Sequence, residues 1–410
     1  FGAQKSVLIG AIIITLGHYV LAMPFEKTFF LGLVLVSIGT GFLKPNISTI
    51  VGQLYKPGDI RIDAGYTIFY MSINIGSMLG FLVCGYLGEK VGWHWGFGAA
   101  GVGMTFGVIQ YILSRKSLGE AGLKPNLEVN EDASRYKLFF YIAMILLVLI
   151  IATNFLGLWS IDAQVLNQLT VYLIVSVAVL YFVYLFFFAG LNKKEKENIS
   201  MFLLLFLGSV LFWAGFDQGG SSLNLFAKDY TDLYIFGWEM PATFLQVANP
   251  LMVVIFAPFF ASFWINLGRK NMDFDTPEKF ALGCFLMAIG FCVIILGVEV
   301  ALDNEKAGVK WLLITYLFHT LGELCLSPVG LSATSKYSPK RYKGQMMGLW
   351  FLSSSLAAGV AGLLASKSFE SGISSMPALF NQVIFGLVFI GIVLLFANKY
   401  IKGHPETEDS

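Results

Sequence analysis

Long, continuous apolar runs divide the sequence, and they constrain its fold more than any other feature. A helix needs about 20 apolar residues to cross a membrane. Twelve segments of roughly that kind follow one another, at 6–23, 29–54, 64–88, 95–113, 138–157, 169–190, 200–226, 241–267, 279–299, 310–335, 343–366 and 377–399. The runs do not alternate apolar and polar residues, as the strands of a membrane barrel do. We therefore predict an all-α, polytopic membrane protein.

Composition agrees with a surface that faces lipid. Charged residues make up 13% of the chain, against about 25% in a soluble domain. The net charge of +1 provides no basic surface of the kind that nucleic-acid partners need. No metal-ligand spacing and no nucleophile, metalloprotease or P-loop motif is present. We predict no catalytic activity, no metal, no nucleic-acid partner and no cofactor other than protons as the coupling ion.

Lysine and arginine residues indicate the orientation in the membrane. If residue 1 is cytoplasmic and every run crosses, 20 of the 27 basic residues lie on the cytoplasmic side and 6 on the other, with Lys44 inside a run. Cytoplasmic loops carry such an excess. We predict a multi-pass protein of the inner (plasma) membrane with a cytoplasmic C-terminus. Two polar stretches, 114–137 and 191–199, lie on either side of two runs that carry few polar side chains suited to a site. The twelve runs are therefore arranged as four, then these two, then six.

Three ionisable residues, Lys44, Asp217 and Glu323, lie inside the runs. Each costs several kcal/mol there and usually has a task. At about 1.5 Å per residue, Lys44 and Glu323 lie roughly 15 and 18 Å from the cytoplasmic ends of their runs, and Asp217 lies toward the outer side. The first two either hold the ends of a zwitterion or form a structural salt bridge. His319, four residues before Glu323, either exchanges a proton with it or is a hydrogen-bonded histidine in a helix interface.

Glycine, proline and amide residues accompany these charges. Asn74 is embedded in a run, and Gly76 and Gly80 have the spacing of close helix packing. Gln218 precedes a Gly-Gly pair that could loosen its helix, and Pro328 removes a backbone donor.

Five stretches together resemble the proton-dependent oligopeptide transporter family of the major facilitator superfamily. They are GTGFLKPNISTIVGQLY (39–55), FYMSINIGS (69–77), FWAGFDQGGSSLNLFA (212–227), ANPLMVVIFAPFFASFW (248–264) and the segment from GELCLSPVG to MMGLWFL (322–352). The resemblance implies a major facilitator fold, with two six-helix bundles and two helices inserted between them.

Only four runs precede the two inserted helices, whereas the family's N-terminal bundle has six. We therefore expect the family's first two helices, with their E-x-x-E-R-F motif, to be absent from this chain. The implied divisions are 1–113 for the rest of the N-terminal bundle (helices 3 to 6), 114–199 for a linker with the inserted helices, 200–402 for the C-terminal six-helix bundle and 403–410 for a cytoplasmic tail.

The resemblance also implies roles for single residues. The positions that match substrate-binding residues are Lys44, Asn74, Gln218, Asn249, Glu323, Ser327, Trp350 and Ser354. Asn249 and Glu323 match positions that hold the peptide amino terminus, while Lys44 matches one linked to the carboxylate. Lys44, Asp217 and Glu323 match positions of proton coupling. Trp350 either stacks on a ligand or simply packs. Leu223 stands where many members have tryptophan, so the family's side-chain preference does not carry over.

We therefore predict proton-coupled symport of di- and tripeptides into the cell by alternating access, with peptides, protons and membrane lipid as partners. Two alternatives stay open. One is a related carrier for another small anion or zwitterion, such as nitrate or an amino acid. The other is a membrane receptor that binds peptide without translocating it. Accumulation in sealed vesicles separates a carrier from a receptor.

Overall fold

A computed structural model describes residues 2–55, 62–123, 133–155, 157–158, 163–235, 237–270, 274–339 and 342–402. This part of the chain is mainly helical. The helices are α1 (Ala3–Leu21), α2 (Glu26–Gln53), α3 (Ile62–Gly80), α4 (Trp93–Ser114), α5 (Ala133–Phe155), α6 (Ala163–Val183), α7 (Lys193–Phe216), α8 (Ser222–Tyr230), α9 (Ala248–Arg269), α10 (Thr276–Asn304), α11 (Lys310–Tyr337), α12 (Lys343–Ser371) and α13 (Met376–Lys402).

Every predicted run coincides with a helical segment. Two of the helices continue as π-helical turns, α3 through Val91 and α6 through Phe188. Within the described residues, ten helical segments are long and apolar enough to span a membrane. The segment of α5 is shorter, at Phe140–Ile150, and α11 carries buried polar side chains, among them Glu323. The prediction of an all-α, multi-pass membrane protein is confirmed.

The chain forms two compact units, residues 1–161 and 162–410. The division falls between α5 and α6, so each unit contains one of the two inserted helices. In the first unit, Phe42 of α2 contacts Phe140 of α5, with ring centroids 5.6 Å apart. The division into 1–113, 114–199 and 200–402 stays a prediction, and the tail at 403–410 lies outside the described residues.

In the first unit, α1 and α2 pack backbone against backbone through glycines. A Cβ added to Gly39 would lie 2.7 Å from the carbonyl oxygen of Gly10, and one added to Gly32 would lie 2.9 Å from that of Gly17. Small residues allow helices to approach this closely in membranes. The antiparallel pair α1–α2 therefore depends on having no side chains at these four positions.

Gly76 and Gly80 of α3 have the spacing from which close helix packing was predicted. A Cβ added to either would meet no atom within 4 Å in the described structure. Among the described residues, nothing therefore packs closely against these two glycines, and their predicted packing role stays a prediction.

The second unit is built around buried phenylalanine side chains. Six of them are fully enclosed: Phe202, Phe212, Phe226, Phe280, Phe291 and Phe380. Capping boxes begin two of its helices, with Asn192 and Glu195 at α7 and Asp275 and Glu278 at α10. Each box satisfies backbone N–H groups that a helix start leaves open.

Helices α10 and α11 approach each other closely. A Cβ added to Gly322 would lie 2.7 Å from the carbonyl oxygen of Gly283. Small residues at this crossing bring the backbone of α11 close to α10. Helix α11 itself continues without a break through position 328.

Helix α7 gives way to α8 at the predicted Gly-Gly pair. The residues Asp217–Gly220 form a 3-10 turn, and α8 begins at Ser222. The expectation that this helix is loosened here is confirmed. Beyond α8, the short strand β1 (Thr231–Asp232) pairs in parallel with β4 (Ala307–Gly308), and β2 (Tyr234–Ile235) pairs antiparallel with β3 (Trp238–Glu239).

Candidate functional site

The second unit brings two of the predicted site residues together. Asn249 lies at the start of α9, and Glu323 lies 74 residues later in the chain, near the middle of α11. The Nδ2 atom of Asn249 donates to Oε2 of Glu323 at 2.9 Å. Glu323 is only 6% exposed, while Asn249 is half-buried. A carboxylate and an amide thus share one site inside an apolar unit.

Thr320 completes this group and fixes the orientation of the amide. Asn249 Nδ2 also donates to Thr320 Oγ1 at 3.0 Å, and the Thr320 hydroxyl donates its own proton to the carbonyl oxygen of Tyr316 at 2.7 Å. Thr320 Oγ1 is therefore an acceptor for Nδ2, and Glu323 Oε2 is the second acceptor, since a carboxylate cannot donate in its ionised form. Chemistry alone determines that the NH₂ group, and not Oδ1, faces them.

These hydrogen bonds determine which atoms of Asn249 remain as acceptors. Both N–H groups of Asn249 are engaged, and no residue in the described part of the chain donates to its Oδ1. Oδ1 belongs to the same side-chain amide whose nitrogen bonds to Glu323. An amide oxygen beside a carboxylate, in apolar surroundings, suits a cationic hydrogen-bond donor such as an ammonium group.

His319 belongs to a helix interface. Its ring lies against Phe291 of α10, with centroids 4.8 Å apart, and a Cβ added to Gly290 would lie 2.5 Å from its Cδ2 atom. It therefore packs toward α10, whereas Glu323 bonds to α9. The position in a helix interface agrees with the second interpretation of His319, but the hydrogen bond that it included is not found, since the buried Nε2 atom has no partner among the described residues.

Gln218 secures the break between α7 and α8. The side chain is fully buried. Its Nε2 donates to the carbonyl oxygens of Ala214 at 3.3 Å and of Ala361 in α12 at 3.4 Å. Its Oε1 accepts from the hydroxyls of Ser222 at 2.7 Å and Ser221 at 3.3 Å. The bond to Ala214 gives a partner to a carbonyl near the end of α7, while the other bonds join the turn to α8 and α12. The substrate-binding role of Gln218 stays a prediction.

The other acidic and hydroxyl positions occupy three different elements. Asp217 is half-buried and is the first residue of the 3-10 turn after α7. Ser327 lies one turn beyond Glu323 on α11, and its Oγ is buried with no hydrogen-bond partner in the described residues. Ser354 is exposed on α12. Their predicted roles stay predictions.

Trp350 is enclosed by aromatic side chains. It is 8% exposed, and its ring lies 6.0 Å from that of Phe280 and 6.2 Å from that of Phe202. A Cβ added to Gly330 would lie 2.2 Å from its Cζ2 atom. The glycine of the SPVG segment on α11 thus makes room for the indole of α12. A role in ligand stacking stays a prediction.

The first unit holds the remaining two predicted residues. Lys44 is exposed on α2. Asn74 of α3 is buried and donates from Nδ2 to the carbonyl oxygen of Tyr70 at 3.0 Å. Lys44 therefore presents its charge outward from the described structure of this unit, and its partner stays a prediction.

Thr320 is the residue that the sequence pattern did not single out. It lies three residues before Glu323, a spacing that places both on one helix face, and this was the available signal. No group of three or more His, Cys, Asp or Glu side chains suited to a metal ion occurs among the described residues.

Comparison with known proteins gives one family throughout. The family model described as POT family matches residues 4–378. The chain is 37% identical to the peptide transporter YePEPT of Yersinia enterocolitica subsp. palearctica, covering 96% of this chain and 79% of that protein. It is 31% identical to a di-/tripeptide transporter of Lactococcus lactis subsp. lactis, covering 98% of this chain and 81% of that protein.

Solved structures agree with these relatives. A crystal structure of the peptide transporter POT in complex with sulfate matches with a TM-score of 0.87 and 34% identity, covering 98% of this chain and 81% of that one. A POT family transporter in complex with 5-aminolevulinic acid matches with a TM-score of 0.84 and 31% identity, covering 97% and 82%. Because the family model matches most of its length and relatives share 37% and 39% of their residues with it over almost the whole chain, the chain belongs to the POT family.

Proposed function

We propose that this protein carries di- and tripeptides into the cell by symport with protons, and that Glu323 and Asn249 receive the peptide's ammonium group. The observation that carries the proposal is the buried pair of acceptors on α9 and α11. An ammonium group has three donors and one positive charge. It can therefore bond to the carboxylate and to Asn249 Oδ1 together.

Burial makes this group selective. Hydrogen bonds to charged groups contribute about 1.5–3 kcal/mol, roughly twice those between neutral groups. A ligand that has no cationic donor would make no such hydrogen bond to the Glu323 carboxylate and to Asn249 Oδ1. It would therefore not offset the cost of keeping these acceptors away from water. A free amino terminus, present in every unmodified peptide, meets the requirement whatever the side chains are.

We assign the peptide's other end to the first unit. Lys44, exposed on α2, is proposed to interact with the carboxylate and to take part in proton coupling, with Asn74 as a further polar contact. Ser327, Trp350, Ser354 and Gln218 are proposed as wall positions on the strength of the family resemblance.

Proton coupling is assigned to Lys44, Asp217 and Glu323. Asp217 stands at the break after α7, where a change of charge acts on the least regular part of that helix. Protonation of an acidic group would weaken ion pairs that hold one face closed, and the bundles would then alternate access around the site. The proton gradient is the energy source in this proposal.

The location proposed is the inner (plasma) membrane, with the C-terminus in the cytoplasm. The excess of lysine and arginine on one side of the predicted crossings supports this orientation. The relatives support the substrate class, since two of them are named as a peptide transporter and a di-/tripeptide transporter.

A second candidate substrate is a small amino acid-like zwitterion. The related structure in complex with 5-aminolevulinic acid favours it, because that compound also carries an ammonium and a carboxylate group. Nitrate is disfavoured at Glu323, since two anions would repel each other there. Competition by unlabelled 5-aminolevulinic acid against labelled dialanine measures the overlap.

The deciding experiment is uptake of labelled dialanine by the full-length protein in sealed liposomes, with and without an inward proton gradient. Accumulation that collapses when an uncoupler is added is the expected result. Binding without accumulation would favour a receptor. The absence of both would refute the proposed substrate.

A further inference from the structure

We infer that Thr320 is a positioning residue, which holds the side-chain amide of Asn249 so that its oxygen faces the ligand. The inference rests on the proposed function, because it concerns the recognition of a peptide ammonium group. It assigns a task to a residue that does not itself touch the ligand.

The geometry leaves Thr320 little freedom. It is fully buried on α11, and its hydroxyl proton is held by the carbonyl oxygen of Tyr316 at 2.7 Å. Its Oγ1 is consequently an acceptor on the side of α9, and it meets Nδ2 of Asn249 at 3.0 Å. A hydroxyl that was free to rotate could serve as a donor or an acceptor, but this one is restricted to accepting.

Two acceptors hold the amide more firmly than one. Glu323 Oε2 engages one N–H of Asn249 and Thr320 Oγ1 engages the other. With both in place, rotating the amide by 180° would set Oδ1 against Thr320 Oγ1, whose proton is held by Tyr316, and against the Glu323 carboxylate, which cannot donate in its ionised form. With Glu323 alone, one N–H loses its partner and the amide can swing about its remaining bond.

The hydroxyl also acts while the ligand is bound. An ammonium group competes with Asn249 Nδ2 for the lone pairs of the Glu323 carboxylate. If that competition loosens the first bond, Thr320 still keeps Nδ2 in place and Oδ1 toward the ligand. Position 320 therefore affects affinity for ammonium more than the rate of any later step.

Thr320→Val tests this, because valine has the shape of threonine without the acceptor. A hydrogen bond between helices in a membrane contributes on average about 0.6 kcal/mol, and one in a soluble protein about 1 kcal/mol. At about 1.4 kcal/mol for each factor of ten, we expect KM for dialanine to rise about threefold to fivefold, with the maximal rate unchanged. The preference for dialanine over N-acetyl-dialanine, which lacks the ammonium charge, should narrow by the same factor.

Two variants control for structural damage. Thr320→Ser keeps the hydroxyl and should restore the KM of the wild type. Thr315→Val removes another buried hydroxyl from α11, one that donates to the carbonyl oxygens of Trp311 at 2.8 Å and Gly290 at 3.2 Å on the side of α10. It should leave the preference between the two peptides unchanged.

A double-mutant cycle in the full-length protein completes the test. If Thr320 acts through Asn249, then Thr320→Val should have no further effect on KM in an Asn249→Ala background. An equal rise in KM in both backgrounds, or an unchanged peptide preference in Thr320→Val, would overturn the inference. Uptake of dialanine by the wild type would in that case leave the proposed function standing. Failure of the wild type itself to bind or accumulate dialanine would refute the proposed function.

Discussion

At the scale of residues, the group proposed to receive an ammonium ion consists of three side chains of the second unit. Glu323 supplies a carboxylate that is almost enclosed, Asn249 supplies an amide oxygen, and Thr320 holds the amide in place. Two other buried polar residues of this unit make different contacts. Gln218 bonds across the helix break, and His319 lies against Phe291.

Glu323→Gln should weaken peptide recognition without changing the size of the side chain. Loss of the charge removes a charge-assisted hydrogen bond to the ammonium group, which contributes about 1.5–3 kcal/mol. We expect KM for dialanine to rise about tenfold to a hundredfold, measured by uptake down a concentration gradient. Glu299→Gln, at an exposed position of α10, is the matched control. Unaltered KM in Glu323→Gln would contradict the assignment of the ammonium group.

Gly330→Ala should destabilise the second unit, because the new methyl group would collide with the indole of Trp350. Overpacking of this kind typically costs about 1–3 kcal/mol. Thermal unfolding of the purified full-length protein in detergent measures the loss. Gly348→Ala is the control, since a Cβ there meets nothing within 4 Å and alanine suits a helix better than glycine. Equal stability of the two variants would show that Trp350 moves aside freely.

At the scale of elements, the inserted helix α6 is attached to α12 along its length. A Cβ on Gly359 would lie 2.5 Å from Cγ2 of Val171, so the valine fills the space that the glycine leaves. Farther along, Tyr181 donates to Oε1 of Gln345, and the hydroxyls of Tyr184 and Tyr342 lie 3.3 Å apart. Helix α6 is thus packed as part of the second unit.

Gly359→Ala should loosen this attachment, and Val171→Ala should compensate for it. The first change forces α6 away from α12 and is expected to cost about 1–3 kcal/mol. The second removes the methyl groups that collide, so the double variant should be more stable than Gly359→Ala alone. Thermal unfolding of the four proteins measures the coupling. Simple addition of the two losses would mean that the side chains do not interact.

At the scale of the whole molecule, the two charges proposed for the ends of the ligand belong to different compact units. Lys44 lies in residues 1–161 and Glu323 in residues 162–410. In the proposed function, Glu323 receives the ammonium group and Lys44 interacts with the carboxylate. The proposed coupling to protons concerns the same pair and Asp217.

Lys44→Ala should abolish accumulation of dialanine driven by a proton gradient. Removal of the cation eliminates the proposed partner of the carboxylate and one of the groups proposed for coupling. Uptake by liposomes with an imposed inward proton gradient is the measurement. Lys116→Ala, exposed in the turn after α4, is the control for loss of a surface lysine. Proton-driven uptake at the wild-type level in Lys44→Ala would exclude the coupling role.

The sequence by itself determined which twelve runs of the chain are helical, their approximate limits and the residues that carry charge within them. These properties are local, since hydropathy adds up along a run and a charge in an apolar run is visible in the run itself. The break at the Gly-Gly pair after Asp217 was predictable for the same reason, because glycine acts on its own stretch of backbone.

Only the tertiary structure decided which way the side chains turn. A helix that is apolar on all sides gives little sign of which face packs inward, and lipid provides no hydrophobic drive to mark it. The pattern therefore could not show that Glu323 turns to α9 while His319 turns to α10, that Trp350 enters an aromatic core, or that Thr320 meets Asn249. Those outcomes follow from close approaches at glycines such as Gly283, Gly322 and Gly330, which set the rotation of each helix against its neighbours.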